Sequence, residues 1–383
     1  MKIRFFLPSL FLFITIDVSF AQTVTGSNVI TSAAPFLTIS PDARHAGLAD
    51  AGVASSPDAN GAYWNPAKMV FIDKEYGGSF SYTPWLAKIV NDMDIFYLSG
   101  FYKIDREQVV SASFKYFDMG KIFFTDNNGG SLGNFNPRDL ALDVTYSRML
   151  STQLSLGLTG RYIYSNLTGQ FNSNPSGSGE SKPGQTVAVD IGILYKVPLK
   201  SATLSDLSFG ASITNLGGKI SYSNDRNRSF LPTNLRLGGA ATKELDPYNK
   251  ITFLLDFNKL MVPSPDASGN FQDKSMLSGV FGSFTDAQGG FEEELQEITK
   301  SMAVEYWYNA VFAGRLGYFH ESAQKGNRQY LTFGLGFRKN NFGIDMAYLV
   351  PTNGRESALA ETIRFSVLLQ IPEVVAVDNS VAD

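Results

Sequence analysis

Stretches of about ten residues in which apolar and polar side chains strictly alternate recur from Gly77 onward, and nothing else in the sequence constrains the fold as much. Leu140, Leu142, Val144 and Tyr146 alternate with Ala141, Asp143, Thr145 and Ser147. Phe253, Leu255 and Phe257 flank Asp256, and Ile363, Phe365, Val367 and Leu369 enclose Arg364. A period of two places each set on one face of a sheet. A soluble sandwich alternates too, but these strands approach the length of about 9–11 residues that crosses a bilayer when tilted. One face is apolar and aromatic without relief. The other carries Asp, Arg, Gly, Ser and Thr, which suits a polar lumen and makes a poor sandwich core. The pattern predicts an all-β protein, a transmembrane antiparallel β-barrel.

About fourteen such segments are expected, near 77–83, 93–103, 107–118, 138–148, 152–165, 185–197, 205–214, 234–243, 249–258, 300–308, 311–320, 329–338, 341–349 and 361–370. Every second connection is short: Ile104-Asp105-Arg106, Leu150-Ser151, the stretch around Pro198, residues 245–247, Asn309-Ala310 and Lys339-Asn340. Those between include long polar loops at 119–137, 166–184, 215–233 and 259–299. Short turns on one rim and long loops on the other are the outer-membrane arrangement, with the long loops outside. An even strand count returns both termini to the periplasm.

The chain begins with an address. Lys2 and Arg4 precede an apolar run over residues 5–16, and Ser19 and Ala21 supply small side chains at the −3 and −1 positions of a cleavage site. Residues 1–21 read as a signal peptide; the apolar run is well short of the roughly 20 residues of a spanning helix. Its removal takes away two bases and one acid, moving the net charge from −4 to −5. Nucleic-acid binding, which needs clustered positive charge, is not expected. The absence of cysteine rules out a disulfide scaffold and any thiolate metal site. A closed barrel needs no such staple.

Residues 22–75 alternate with nothing and are rich in small side chains, among them Ala43, Ala46, Gly47, Ala49, Ala51, Gly52, Ala54, Ala59, Gly61 and Ala62. A fourteen-strand lumen is too wide for wall side chains to fill, so this segment is expected to be an N-terminal hatch inside it. Residues 76–370 then form the barrel and 371–383 a periplasmic tail. The inward charges Asp143, Arg161, Asp190, Arg236, Asp256, Glu305, Arg315, Arg338, Asp345 and Arg364 would anchor the hatch, pair with one another, or simply be solvated in the lumen. In the longest loop, Phe291, Leu295 and Ile298 fall on one face of a short helix that also carries Glu292, Glu293 and Glu294. That helix would dock a partner or cap the barrel mouth. If it docks a partner, charge reversal within Glu292-Glu293-Glu294 weakens partner binding and leaves the barrel folded.

Catalytic motifs are nearly absent, and no enzyme is expected. The two histidines are His45 and His320. His320 with Glu321 allows a hydrolytic arrangement on paper, but no G-x-S-x-G elbow accompanies it. No His, Asp or Glu spacing suggests a metal site, no Gly-rich turn suggests a phosphate cradle, and no cofactor is expected. Asn166-Leu167-Thr168 and Asn227-Arg228-Ser229 match a glycosylation pattern that carries little weight in a bacterial setting.

The expected hatch ends in Tyr63-Trp64-Asn65-Pro66-Ala67-Lys68-Met69. The Asn65-Pro66-Ala67 triplet, after a small-residue plug and before the first strand, resembles the FadL family of outer-membrane transporters for hydrophobic compounds. A closer resemblance covers nearly the whole mature chain. Pro35-Phe36-Leu37-Thr38-Ile39-Ser40-Pro41-Asp42-Ala43-Arg44, Ser81-Tyr82-Thr83-Pro84-Trp85-Leu86, Leu231-Pro232-Thr233-Asn234-Leu235-Arg236-Leu237-Gly238 and Leu245-Asp246-Pro247-Tyr248-Asn249-Lys250 resemble the PorV family. These are FadL-like outer-membrane components of the type IX secretion system of Bacteroidetes.

The resemblance implies a non-catalytic role. Such proteins bind cargo by its C-terminal signal domain at the large translocon pore protein and shuttle it to a cell-surface attachment complex with a sortase-like peptidase, which links cargo to lipopolysaccharide. It implies the translocon pore, the cargo, the attachment complex and outer-membrane lipid as partners, with contact expected in loops 215–233 and 259–299. The chain departs from many outer-membrane barrels in one respect: residues 371–383 continue past the last strand as an acidic tail where a terminal aromatic residue is usual. Two alternatives stand beside this reading. One is a FadL-like transporter of small hydrophobic molecules, with an apolar pocket at the outer mouth and a wall opening at a kinked strand. The other is a lipid A deacylase, for which the histidine inventory is poor.

Overall fold

The computed structural model describes residues 29–125, 130–167, 182–199, 204–223, 228–264, 274–353 and 362–372. The expected signal peptide, most of the C-terminal tail and parts of loops 119–137, 166–184, 215–233 and 259–299 lie outside them. Fourteen antiparallel strands close into a barrel. They are β1 (Lys74–Pro84), β2 (Asp94–Lys103), β3 (Gln108–Asp118), β6 (Arg138–Met149), β7 (Leu154–Asn166), β8 (Gly184–Pro198), β9 (Asp206–Gly217), β10 (Asn234–Asp246), β11 (Asn249–Leu260), β12 (Ile298–Tyr308), β13 (Phe312–His320), β14 (Gln329–Lys339), β15 (Phe342–Pro351) and β16 (Ile363–Pro372). All fourteen expected segments are present. The hairpin β4 (Ile122–Thr125) and β5 (Ser131–Phe135) stands apart as a small sheet within the loop after β3. The alternation does not announce it, because a two-stranded sheet outside the wall has no buried face to pattern. β16 runs to Pro372, two residues into the stretch expected as tail.

Alternation and wall agree strand by strand. Leu142, Val144 and Leu158 are exposed, as membrane-facing side chains are in the bare protein, whereas Asp143, Thr145 and Thr159 are buried. The opposed pairs Asp143↔Arg161 and Gly238↔Asp256 lie on the inner face, and Phe312↔Phe337 on the outer. Short turns collect on one rim: Pro247 and Tyr248 join β10 to β11, and Asn309 and Ala310, both left-handed at φ 52°, join β12 to β13. Two residues with positive φ suit the primed turns whose twist matches a hairpin.

Between Ala33 and Ile72 the chain forms short pieces: 3₁₀ turns at Pro35–Thr38 and Pro66–Phe71, and helices α1 (Ala43–Ala46) and α2 (Gly61–Trp64). This segment bonds to the buried faces of strands all around the ring. Ala43 N–H donates to Ser366 on β16 at 2.9 Å and Ala49 N–H to Thr332 on β14 at 3.0 Å. Lys115 on β3 donates to the Ile39 carbonyl at 2.5 Å, and Ser99 on β2 to Asn60 at 2.7 Å. Gly52 N–H donates to Asp256 on β11, across the ring from β2, at 2.7 Å, so the segment is held from the inner faces of opposite walls and lies in the lumen.

The segment's first described residues lie at the long-loop rim. Ala33 N–H donates to Phe230 in the loop between β9 and β10 at 2.9 Å. Val29 to Ser32 line a cavity there with Glu321 and Arg328. Lys74 and Pro372 pair at the opposite, short-turn rim. The even count does bring β1 and β16 to one rim, but the described ends of the chain stand on opposite rims, because the segment spans the lumen before β1 starts.

Candidate functional site

Asn65, Pro66 and Ala67 seat the lumen segment on the wall. Asn65 is fully buried; its Oδ1 accepts from Ala67 N–H at 3.0 Å and so caps the 3₁₀ turn that Pro66 opens. Its Nδ2 donates to the Val53 carbonyl at 2.9 Å and to the Ile193 carbonyl of β8 at 3.0 Å. Ser147 on β6 and Ser155 on β7 donate to the Pro66 and Ala67 carbonyls at 2.5 and 2.7 Å. The wall is glycine where this turn presses on it. A Cβ on Gly157 would come 2.3 Å from the Pro66 carbonyl carbon, and one on Gly192 would come 2.1 Å from Asn65 Oδ1.

Most of the expected inward charges are buried and fall into two groups. In the first, Arg44 of α1 grips both carboxylate oxygens of Glu305 at 2.9 Å and reaches Asp58 at 3.0 Å. Arg315 bonds Glu305 and Asp345 at 2.8 Å each, and Arg338 bonds Asp345 at 2.6 Å. In the second, Arg161 bonds Asp143 at 2.7 and 2.8 Å and Asp190 at 3.3 Å. Of the three roles expected, anchoring of the segment is seen at Glu305 and Asp256: Asp256 accepts from the N–H groups of Gly52 and Val53 at 2.7 and 2.9 Å. Arg236 lies over the rings of Tyr63 and Trp64 at 5.3 and 4.8 Å.

Sequence reasoning missed a cluster inside the segment itself. Asp42 Oδ2 meets His45 Nδ1 at 2.8 Å and caps α1 through His45 N–H at 3.0 Å. His45 Nε2 lies 2.9 Å from Ser55 Oγ, and Lys68 Nζ donates to that oxygen at 2.6 Å. Trp64 Nε1 donates to Asp42 Oδ1 at 2.8 Å. The order Asp–His–Ser resembles a hydrolytic triad. Ser55, however, is buried, lies 3.1 Å from the Gly52 carbonyl and accepts from Lys68, with His45 Nε2 on its remaining side. A hydroxyl so occupied ties three stretches of the segment together rather than attacking a substrate. Burial raises the Asp42 carboxyl, but the His45 charge and the bonds from His45 and Trp64 outweigh it and hold it well below the ordinary range. Burial lowers the Lys68 ammonium to about 8, against the pull of Asp58. The signal available in sequence was Asp42 three residues before His45, the spacing of a helix cap.

The expected helix of the longest loop is α4 (Phe291–Gln296), preceded by α3 (Met276–Gly282). α4 ends sooner than expected: Ile298 opens β12 and does not share its face with Phe291 and Leu295. The acidic residues also divide. Glu294 is buried and bonds Lys259 at 2.7 Å and the Ala287 N–H at 3.0 Å. Glu293 bonds Lys325 at 2.5 Å and the Gly289 N–H at 2.6 Å. Glu297 joins Lys259, Ser264 and Lys325 at 2.5, 3.0 and 3.0 Å. Glu292 is exposed, and so are Phe291 and Leu295.

His320 and Glu321 do not form a catalytic pair; Glu321 is held by Arg328 at 2.7 and 2.8 Å. Among the described residues no cluster of His, Asp and Glu could hold a metal ion. A cavity of about 560 Å³ opens at the long-loop rim, bordered by Val29, Ile30, Trp64, Arg236, Phe319 and Arg328. The wall beside it bulges at Asn215, where β9 gains a residue against β8. Asn215 is left-handed (φ 59°) and fills its own gap: its N–H donates to Asp190 at 2.7 Å and its Nδ2 to the Pro232 carbonyl at 3.1 Å. All neighbouring strands of the ring are hydrogen-bonded, this pair included.

The family model described as type IX secretion system protein PorV matches residues 22–267. No curated protein matches the chain. Among solved structures it is similar to the Ralstonia pickettii toluene transporter TbuX at 12% identity, covering 86% of this chain and 98% of that one with a TM-score of 0.51. It is similar also to the CymD monoaromatic hydrocarbon channel at 12% identity, covering 87% and 98% with a TM-score of 0.51. At such identity the likeness establishes the fold alone, a FadL-like outer-membrane barrel.

Proposed function

This chain belongs to the PorV family of type IX secretion system proteins, and we propose from that premise that it is a non-catalytic carrier of secreted cargo. It binds cargo by the C-terminal signal domain at the translocon pore and delivers it to the sortase-like attachment complex at the cell surface. The single observation that carries the reading is the family match, which spans well over half of the chain. The lumen segment fits it as a hatch, with residues 1–21 as a removed signal peptide, 22–75 as the hatch and the stretch after β16 as a periplasmic tail. The long loops then face outward, where partners meet them. A hatch fastened by Asn65, Arg44 and Gly52 leaves the outer loops as the working surface.

One observation favours a second reading, transport of small hydrophobic molecules. The cavity at the long-loop rim carries Val29, Ile30, Trp64 and Phe319 among its lining. The filled bulge at Asn215 weighs against it, because a lateral exit needs a strand pair that parts.

The deciding experiment is a mild-detergent pull-down of the protein from its native cells, with mass spectrometry of what stays bound. Recovery of a very large outer-membrane protein together with cargo that retains its C-terminal signal domain is expected. Recovery of the barrel alone, with fatty acids or other lipids, would overturn the carrier reading in favour of transport.

A further inference from the structure

The loop between β11 and β12 carries two short helices, each of which turns an apolar pair to the outside. Leu277 and Phe281 on α3 are exposed at i and i+4, as are Phe291 and Leu295 on α4, and Phe284 between the helices is exposed too. Five exposed large apolar side chains within nineteen residues exceed the scattered singles that a soluble surface carries. The faces opposite these pairs dock the loop. Gly279 packs against Phe230 and Pro263 so closely that a Cβ would meet the Phe230 ring at 2.5 Å. Glu294 on α4 reaches Lys259 at 2.7 Å.

Lys259 fixes where α4 sits. Along β11, Phe253, Leu255 and Phe257 point outward to the membrane, and Lys259 continues that same side by the period of two. Its register partners Leu235 and Ile298 stand on the same side. Yet Lys259 is buried, because Glu294, Glu297 and the ring of Phe284, 5.7 Å away, cover it. The loop is therefore draped over the outer flank of the rim, and its anchor sits directly above the lipid-facing column of β11.

We infer that the α3–α4 loop is a membrane-surface anchor, with Leu277, Phe281, Phe284, Phe291 and Leu295 resting in the boundary between headgroups and acyl chains beside β11. The partner is a lipid surface, since the patch continues the apolar band that already faces lipid. Short amphipathic helices at such a boundary sink their apolar face about 5–10 Å into it. The Lys259–Glu294–Glu297–Lys325 network then holds the helices at a fixed height, with its charges paired where lipid comes close. This inference rests on the barrel and its membrane-facing wall, and is independent of the cargo-carrier reading.

The chain has no cysteine, so a single introduced thiol gives a unique spin-label site. Full-length mature protein carrying Leu277→Cys, Phe281→Cys or Phe291→Cys would be labelled with a nitroxide and reconstituted alone into phosphatidylcholine nanodiscs. Power saturation by oxygen, which concentrates in acyl chains, is compared with that by a water-soluble nickel chelate. Phe253→Cys serves as the lipid control and Ser151→Cys, on the exposed short-turn rim, as the aqueous one. The expected result is an oxygen-dominated response at the loop sites, within about twofold of the Phe253 control and opposite in sense to Ser151. Dominance of the nickel chelate at the loop sites would overturn the inference and leave the patch free for a protein partner. Poor access of both reagents would overturn it as well, because the side chains would then be covered by the protein itself. Three separate sites keep the comparison decisive if one variant loses the heat-modifiable migration of a folded barrel.

Discussion

A Cβ placed on Gly192 in β8 would stand 2.1 Å from Asn65 Oδ1, so the wall at that point is shaped by the amide that rests on it. Gly192→Ala should loosen the seat of the Asn65–Ala67 turn by about 1–3 kcal/mol, the ordinary cost of overfilling a packed site. Hydrogen exchange of the amides between residues 60 and 70 should quicken while the barrel keeps its heat-modifiable migration. Gly160→Ala, where a Cβ meets nothing within 4 Å, is the matched control and should be silent.

Removing one member of a buried ion pair strands the other, at a cost of about 3–5 kcal/mol. Arg44→Ala leaves Asp58 without its guanidinium and takes one of two arginines from Glu305. Chemical denaturation in detergent should show a lowered midpoint or a separate early transition of the lumen segment. The double variant Arg44→Ala with Asp58→Asn should recover part of the loss. An unchanged midpoint in the single variant would mean that the segment contributes nothing to the fold.

Acid should release the segment. The Asp42 carboxyl is held below its ordinary value of 3.8, so its contribution is fully present above that value and is lost as pH falls through the lower folded one. Asp58 is held low as well, where the Arg44 guanidinium outweighs burial, and shifts stability in the same direction. Protease cleavage within residues 42–68 should therefore appear only below about pH 4 in the native protein. In Asp42→Asn it should begin at higher pH. Cleavage equal in both proteins at every pH would remove Asp42 from the account.

The glutamates of α4 separate by role. Glu294→Lys sets a second cation against Lys259 and should free the loop, seen as faster exchange of residues 275–297. Glu292→Lys leaves those bonds intact and should change exchange little. If α4 docks a partner, Glu292→Lys is the variant that weakens pull-down without disturbing the loop, whereas reversal at Glu293 or Glu294 confounds the two effects.

The wall was legible and its contents were not. Alternation such as Leu140 to Tyr146 reports which side of a strand is wet, and fourteen repeats of it suffice for a ring. Nothing local links Arg44 to Glu305, 261 residues away, because that pair exists only once the ring closes. The strand glycines single out no position in sequence, yet Gly157 and Gly192 mark the footprint of the turn they face. Ile298 was misplaced because helical spacing continues through it, whereas its backbone pairs with Lys259 in the sheet. His45 was visible only as a lone histidine; its partners Ser55 and Lys68 come together through turns that carry no period.

The wall holds the lumen segment largely by its main chain. Ser366, Thr332 and Asp256 take its N–H groups, and Ser147, Ser155 and Lys115 take its carbonyls. Such a grip is indifferent to most side-chain chemistry and intolerant of bulk, as a sheet edge is toward an added strand. At some points of the segment even a methyl group is too much: a Cβ on Gly47 would stand 2.9 Å from the Gly334 Cα of β14, and one on Gly52 2.5 Å from the Trp64 ring. The interior of this barrel is a mould for a peptide backbone.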